Sequence, residues 1–362
     1  MSTLDIKKLY DRSGTGSPNF TNGLNISGSD SGLLAFSHYN QADEPTYPAN
    51  GDSWWDTTNE HYKVYVNDTW LTVLGTAAVA GIAWGGDRGV IGGGLTNDLN
   101  NTIAYFDITT TGNATDFGDL TVARQALGGL SNTTRGVFAG GGGTNVIDYI
   151  TIATPSNATD FGDLLGNAFY AVGTCDGSRG VIWRQSSDLD YISVDTTGNS
   201  AQFGTMPGGA YNAGWNDSTR AIFARGSNGN TMYYVTIQTT GDATTFGNLT
   251  AGRQRFAGCG DGTYAIFGGG ENNPPATGNS NVLDYVTIQT TGNATDFGDL
   301  LSATQRPAAT SNGTRGCWAG GEVGSNINVI QYITITSPGN ATDFGDLTDA
   351  VGFAAGLSGS AA

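Results

Sequence analysis

Beyond residue 78, apolar residues come in short runs that alternate with polar ones and never settle into a helical period. Residues 146–154 show the pattern: Ile147, Tyr149 or Ile150, and Ile152 are interleaved with polar residues, as in a strand that buries one face more than the other. Residues 282–288 and 329–335 repeat this run with conservative exchanges. Turn triplets follow (Thr-Gly-Asn, Pro-Ser-Asn or Pro-Gly-Asn) and predict a tight hairpin into the next strand. There the phrase Asn-Ala-Thr-Asp-Phe-Gly-Asp-Leu, first met at residues 113–120, returns intact or degraded five more times. Its aromatic residue falls at Phe117, Phe161, Phe203, Phe246, Phe297 and Phe344, at intervals of 44, 42, 43, 51 and 47 residues. Periods of this size belong to solenoids and propellers. The second copy holds four strand-length runs, residues 123–132, 135–143, 146–154 and 157–164, which is the content of one propeller blade. The expected fold is therefore all-β, a six-bladed propeller, with the six Phe rings as its inter-blade core. Burying one such ring stabilises by about 1.5–3 kcal/mol, a sufficient reason for the phrase.

The second run of each copy ends in glycines: Arg-Gly-Val-Ile-Gly-Gly-Gly from Arg88, Arg-Gly-Val-Phe-Ala-Gly-Gly from Arg135, Tyr-Ala-Ile-Phe-Gly-Gly-Gly from Tyr264 and Arg-Gly-Cys-Trp-Ala-Gly-Gly from Arg315. Such an ending allows close approach of neighbouring backbones. With Gly140 and Gly141, Tyr149, Phe161 and Arg124 in the second copy, this resembles the kelch repeat, over roughly the last three quarters of the chain. The resemblance implies a kelch-like propeller and leaves function open. Copies three and four depart from it, with Trp183-Arg184-Gln185 and Ala224-Arg225-Gly226 in place of the glycine run. Arg88, Arg135, Arg179, Arg220 and Arg315 share one repeat position, which favours a structural ladder with backbone or Asp partners over a binding patch. After the sixth Phe, residues 350–358 restart a first strand with no successor, and are expected to pair into the first blade and close the ring. Residues 80–86 also read as a first strand, so seven candidates compete for six places.

Two further segments precede the propeller, giving an expected division at 1–35, 36–77 and 78–362. Residues 1–35 are polar and Gly/Ser-rich with isolated apolar beads, too few to bury a core, and read as an extended arm that docks on a partner. Residues 36–77 contain Asn-Gly-Asp-Ser-Trp-Trp-Asp-Thr-Thr from Asn50, two or three strands around turns at Thr58-Asn59 and Asn67-Asp68. That phrase resembles a small β module of bacteriophage tail-fibre and other virion proteins, and Asp-Arg-Ser-Gly-Thr-Gly-Ser-Pro-Asn-Phe from Asp11 resembles the beginnings of marine phage structural proteins. The resemblance implies a virion location, docking through the arm to other virion proteins, and a homo-oligomer, with a trimer as one form.

Charge narrows the partners. The chain carries a formal −17, and residues 78–362 hold 11 Arg, 23 acidic residues and no Lys, a surface that repels nucleic acid. Cys175, Cys259 and Cys317 read as buried apolar residues on inner strands of different blades, not a disulfide framework. No run is long enough to span a bilayer or, at the start, to serve as a signal peptide, so synthesis in a host cytoplasm is expected.

Catalytic chemistry finds few residues. Both histidines, His38 and His61, precede the propeller, so that domain has no imidazole for a Ser-His-Asp or zinc-hydrolase site. Its only glutamates are Glu271 and Glu322, which a glycosidase would have to recruit, alone or with Asp residues. Asp116 with Asp119, and the equivalent pairs at 160 and 163, 296 and 299, and 343 and 346, could chelate Ca²⁺ but fall short of a full oxygen cage. The Asn-Ala-Thr sequons and Asp-Phe-Gly triplets are accounted for by turn and core roles.

Recognition remains. The hairpin before each Phe hardly varies, whereas the connection after each glycine-rich strand differs in every copy: residues 95–101, 144–145, 185–188, 226–230, 271–281 and 322–326. Loops carry function on a regular scaffold. The expected binding residues are Asn97, Asn100, Arg184, Arg225, Glu271, Asn272, Asn273 and Glu322, with Trp183 and Trp215 to stack on a sugar. The resulting expectation is a non-enzymatic virion protein, a tail fibre or similar appendage, whose propeller attaches to a host-surface polysaccharide. The alternatives are a purely structural decoration or tail component, and a polysaccharide depolymerase.

Overall fold

The structure, a computed structural model, describes residues 85–361 apart from 185, 211, 227 and 228, and before them residues 52–56, 61–66 and 69–73 with three further short strands. The chain forms two compact units, Met1–Ala78 and Val79–Ala362. In the first unit Asp5–Lys7 pairs antiparallel with Gly23–Asn25. A separate four-stranded sheet runs His38–Gln41, Ser53–Asp56, His61–Val66, Thr69–Val73, its first pair parallel and the others antiparallel. The parallel strand His38–Gln41 goes beyond the two or three strands expected there. The rest of the expected docking arm, the turn residues 57–60 and 67–68, and residues 80–84 of the competing first strand lie outside the described residues.

The second unit is a six-bladed propeller of four-stranded antiparallel sheets. From the innermost strand outward, blade 2 is Gly128–Ser131, Arg135–Ala139, Thr144–Thr151 and Thr159–Ala168, and blade 3 is Val172–Cys175, Arg179–Trp183, Ser186–Ser193 and Ala201–Gly209. Blade 4 is Ala213–Asn216, Arg220–Ala224, Thr231–Thr236 and Thr244–Asn248; blade 5 is Ala257–Gly260, Tyr264–Gly268, Val282–Thr287 and Thr295–Asp299. Blade 6 is Ala308–Ser311, Arg315–Ala319, Val329–Thr334 and Thr342–Asp346. Blade 1 joins both ends of the unit: Ala355–Gly359 is the innermost strand on Arg88–Gly92, followed by Thr102–Asp107 and Thr115–Asp119. The C-terminal strand therefore takes the sixth inner place.

Six apolar clusters fill the spaces between successive blades, and each contains one of the six repeated Phe rings, buried to 2–4% exposure. Each ring meets the Tyr of its own third strand edge-on at 5.7–6.3 Å. In five blades the second-strand Arg lies 4.2–4.7 Å over that Tyr. The same guanidinium donates to a backbone carbonyl of the next blade, from Arg88 to Ile152 at 2.8 Å and, closing the ring, from Arg315 to Ile108 at 3.0 Å. The ladder's polar partners are thus backbone carbonyls. Blade 5 substitutes Tyr264, edge-on to Tyr285 at 5.7 Å.

The remaining letters of the phrase are a clasp between blades. The Asn157 side chain accepts from Asp119 N of the preceding blade, and this contact recurs six times at 2.8–3.1 Å, with Asp242 in the Asn place once and Asn113 receiving Asp346 N at the closure. The amide after each of these side chains donates back to the same preceding residue, as Ala158 N does to Asp119 O at 2.7 Å. Gly118 has φ 140°, and a Cβ there would sit 2.6 Å from the Ser156 backbone, so the turn of the next blade needs a bare position to dock. Sequon and Asp-Phe-Gly triplet alike are parts of this contact.

Candidate functional site

Antiparallel blades place two kinds of connection on one side of the ring: those from second to third strand, and those from an outermost strand to the next innermost one. We call this the loop face, and the opposite side the hairpin face. All six large hydrophobic side chains found exposed among the described residues lie on loop-face connections or the strand end beside them: Leu99, Val122, Leu165, Phe169, Leu301 and Val323, at 44–60% exposure. In blades 2 and 3 the two outer strands run on past a bulge and raise a rim there, closed by the pairs Thr144–Ala168 and Ser186–Gly209. Residues expected as loop at 144–145 and 186–188 therefore belong to strands.

Around the axis, the residue two positions before the innermost strand adopts a left-handed conformation in four blades: Ala126, Arg255, Arg306 and Phe353, with φ between 56 and 60°. Such backbones are uncommon for residues with side chains and persist where surrounding contacts over-determine them. Here a chain of hydrogen bonds passes from blade to blade: Arg306 N to Arg255 O, Phe353 N to Arg306 O, Ala126 N to Phe353 O and Ala171 N to Ala126 O, at 2.7–3.0 Å. The turns surround a small open pocket of about 80 Å³, lined among others by Tyr170, Asn212, Arg255, Phe256, Arg306 and Phe353.

A polar belt crosses this mouth. Arg255 Nη1 donates to Glu271 Oε2 at 2.6 Å and to Gln305 Oε1 at 3.1 Å. Gln254 Nε2 also reaches Glu271, at 3.0 Å, and Gln305 Nε2 reaches Glu322 Oε1 at 3.1 Å. Glu322 is ion-paired with Arg306, whose guanidinium lies 4.5 Å over the Phe353 ring, and Phe353 meets Tyr170 at 6.1 Å. Forked cations, amides and carboxylates are thus fixed beside two aromatic rings, an arrangement that presents oriented donors and acceptors to a polar ligand.

Of the residues expected to bind, Glu271 and Glu322 reach this belt. Asn97 is exposed in its loop. Asn100 closes its own turn, its side chain accepting from Thr102 N at 3.1 Å. Asn272 pairs with Arg253 in a short ladder, and Asn273 is buried, donating to Gly229 O at 3.1 Å. Trp183 has 0% exposure and stands edge-on to Phe223 at 6.1 Å, so it is a core residue and not a stacking platform. Its repeat position is Ala139 in blade 2 and Ala224 in blade 4, and here the larger side chain fills the inter-blade space. Trp215 sits near the hairpin end of its innermost strand and donates to Asp261 O at 3.2 Å, away from the loop face. Arg184 is paired with Asp190 at 2.9 Å. Arg225 stays on the loop face, on the connection after the second strand of blade 4.

Sequence reasoning missed Gln254, Arg255, Gln305, Arg306, Tyr170 and Phe353, because it compared only second-to-third-strand connections. Aligning the inter-blade loops would have revealed them: Arg124-Gln125-Ala126, Arg253-Gln254-Arg255 and Thr304-Gln305-Arg306 differ by charge at the axial position. Cys175 and Cys259 lie on innermost strands, but Cys317 is on the second strand of blade 6. All three are free and buried, and burial raises each thiol, that of Cys317 to about 12. Among the described residues no three His, Cys, Asp or Glu side chains converge on a metal-sized site, and the repeated Asp pairs stay pairs. No protein-family model matches the chain, and no curated protein matches it.

Proposed function

We propose that this is a non-enzymatic recognition protein of a virion, a tail fibre or similar appendage, in which the first unit serves assembly and the loop face attaches to a host-surface polysaccharide. The observation that carries the reading is segregation: the exposed apolar side chains and the aromatic-flanked polar belt share one face, while the repeated phrase is used up in contacts between blades. Virion membership rests on the Gly-Asp-Ser-Trp-Trp-Asp-Thr-Thr phrase and the opening segment. Both propeller glutamates are held by arginines, which supports recognition over a depolymerase needing one free acid and one free base. The exposed Leu165 and Phe169 favour a second reading, in which this face packs against other virion proteins.

The test is binding of the purified full chain to a panel of intact candidate bacterial hosts, beside a variant with residues 271–281 shortened, with a reducing-sugar assay on the same cells. Saturable binding lost on shortening is expected. Absence of binding to any host, while the protein still incorporates into particles, would transfer the assignment to the structural reading; release of reducing ends would transfer it to the depolymerase.

A further inference from the structure

Six arginines stand on loop-face connections: Arg124, Arg184, Arg225, Arg253, Arg255 and Arg306. Five have a carboxylate in contact: Asp148 for Arg124, Asp190 for Arg184, Asp284 for Arg253, Glu271 for Arg255 and Glu322 for Arg306. Arg225 has no ion pair among the described residues, and its Nε is buried without a hydrogen-bond partner. The two connections beside it, residues 206–212 and 225–230, contain no acidic residue.

The neighbouring blade shows what is missing. Arg184 lies two residues beyond Ile182, whose cross-strand partner is Asp190, and the guanidinium folds back onto that carboxylate. Arg225 lies two residues beyond Phe223, whose cross-strand partner is Tyr233. Blade 4 thus keeps the cation and replaces its acceptor. The stem of Arg225 crosses Gly209, where a Cβ would come within 2.9 Å of Cγ, so a bare position makes room for the side chain. Asn212, whose Oδ1 takes Gly226 N at 2.8 Å, joins this corner to the lining of the axial cavity. A half-buried guanidinium that is short of an acceptor on the face read as the binding surface is a ready site for an anion.

We propose that Arg225 is an anion subsite of the loop face and takes the charged group of an acidic sugar residue, a uronate carboxylate or a sulfate ester, in the place that Asp190 occupies for Arg184. This deepens the recognition reading and rests on it. Selectivity would then come from the one loop-face arginine that lacks a carboxylate among the described residues, on a chain of net −17 that otherwise repels polyanions.

The test is titration of the full chain with oligogalacturonate, with its methyl ester, and with sulfated galactan oligosaccharides, for the natural protein, Arg225→Gln and Tyr233→Asp. The two acidic probes report separately on carboxylate and sulfate. At least one is expected to bind saturably and about tenfold more tightly than the uncharged ester, and Arg225→Gln to lose that margin. Tyr233→Asp, a change within the cluster between blades 3 and 4, is expected to lose it as well where circular dichroism shows the variant folded, because it installs the internal acceptor of blade 3. Equal binding of acid and ester, an unchanged Arg225→Gln, or no saturable binding of either acidic probe would overturn the proposal. Host-cell binding that persists in Arg225→Gln would show that recognition survives without it.

Discussion

The two faces of the propeller respond differently to the same sixfold repetition. On the hairpin side each letter of the phrase answers to two blades at once: Asn157 to the amide of Asp119, Gly118 to the turn carrying Ser156, Phe117 to the cluster it shares with Ile150 and Ile152. A change there breaks a contact on a neighbour as well as at home, so the copies agree. On the loop face blades also touch, from the backbone chain at the mouth to Asn326 on Leu95 O, but no one side-chain contact recurs in all six, and the copies differ in length, charge and size. In a repeat protein, then, agreement between copies marks the joints, and disagreement marks the surface free to acquire chemistry.

The most severe way to break the contrast is to open the ring. Deleting residues 355–362 removes the innermost strand of blade 1 and exposes Arg88–Gly92 and the cluster holding Leu357. We expect loss of the cooperative unfolding transition and recovery in aggregates, read by circular dichroism and size-exclusion chromatography.

Next in size is the buried pair Arg253–Asp284, with both side chains at 0% exposure. Arg253→Ala leaves the carboxylate with only Thr250 for a partner and should cost about 3–5 kcal/mol in urea unfolding. Blade 1 has already made the apolar exchange, with Val351 and Ala104 at the corresponding positions. The double variant Arg253→Val with Asp284→Ala should therefore recover most of the loss. A double variant as unstable as the single one would show that the pair specifies blade 5 in a way blade 1 does not need.

These pairs also show where sequence reading reached its limit. The blade count, the Phe core and the closing strand were legible because each follows from periodicity, and periodicity survives in one dimension. Trp183 was misplaced because whether the end of a strand is core or rim depends on the neighbouring blade; beside Phe223 there was room for an indole. Arg184 looked available because its partner, Asp190, is defined only by cross-strand register. The mouth residues Arg255 and Arg306 were hidden by a regularity: they occupy loops of constant length, and their left-handed backbone, which turns them into the axial belt, leaves no mark in the sequence without a glycine.

A smaller effect isolates one clasp. Asn293→Ala removes the acceptor for Asn248 N while sparing the amide of Ala294, which still reaches Asn248 O at 2.8 Å. At this exposed contact about 0.5–1.5 kcal/mol should be lost. The same change at Asn157 should add to it nearly in full, because the two clasps share no partner. Strong non-additivity would mean that strain passes around the ring and that the joints are coupled.

The smallest expected change in stability belongs to the loop face, and it sharpens the comparison most. Glu322→Gln keeps the shape that accepts from Gln305 and removes the charge opposite Arg306, a pair in which both side chains are about one fifth exposed. Discounted for solvent screening, the stability cost should stay below about 1 kcal/mol. The same substitution frees a guanidinium that lies over Phe353 at the axial mouth. If the belt contacts ligand, Glu322→Gln should change host-cell affinity by more than its effect on the thermal midpoint suggests. If midpoint and affinity fall together, or neither moves, the belt is one more joint, displaced to the other face, and recognition must be sought on the raised rim of blades 2 and 3, where Leu165 and Phe169 are exposed.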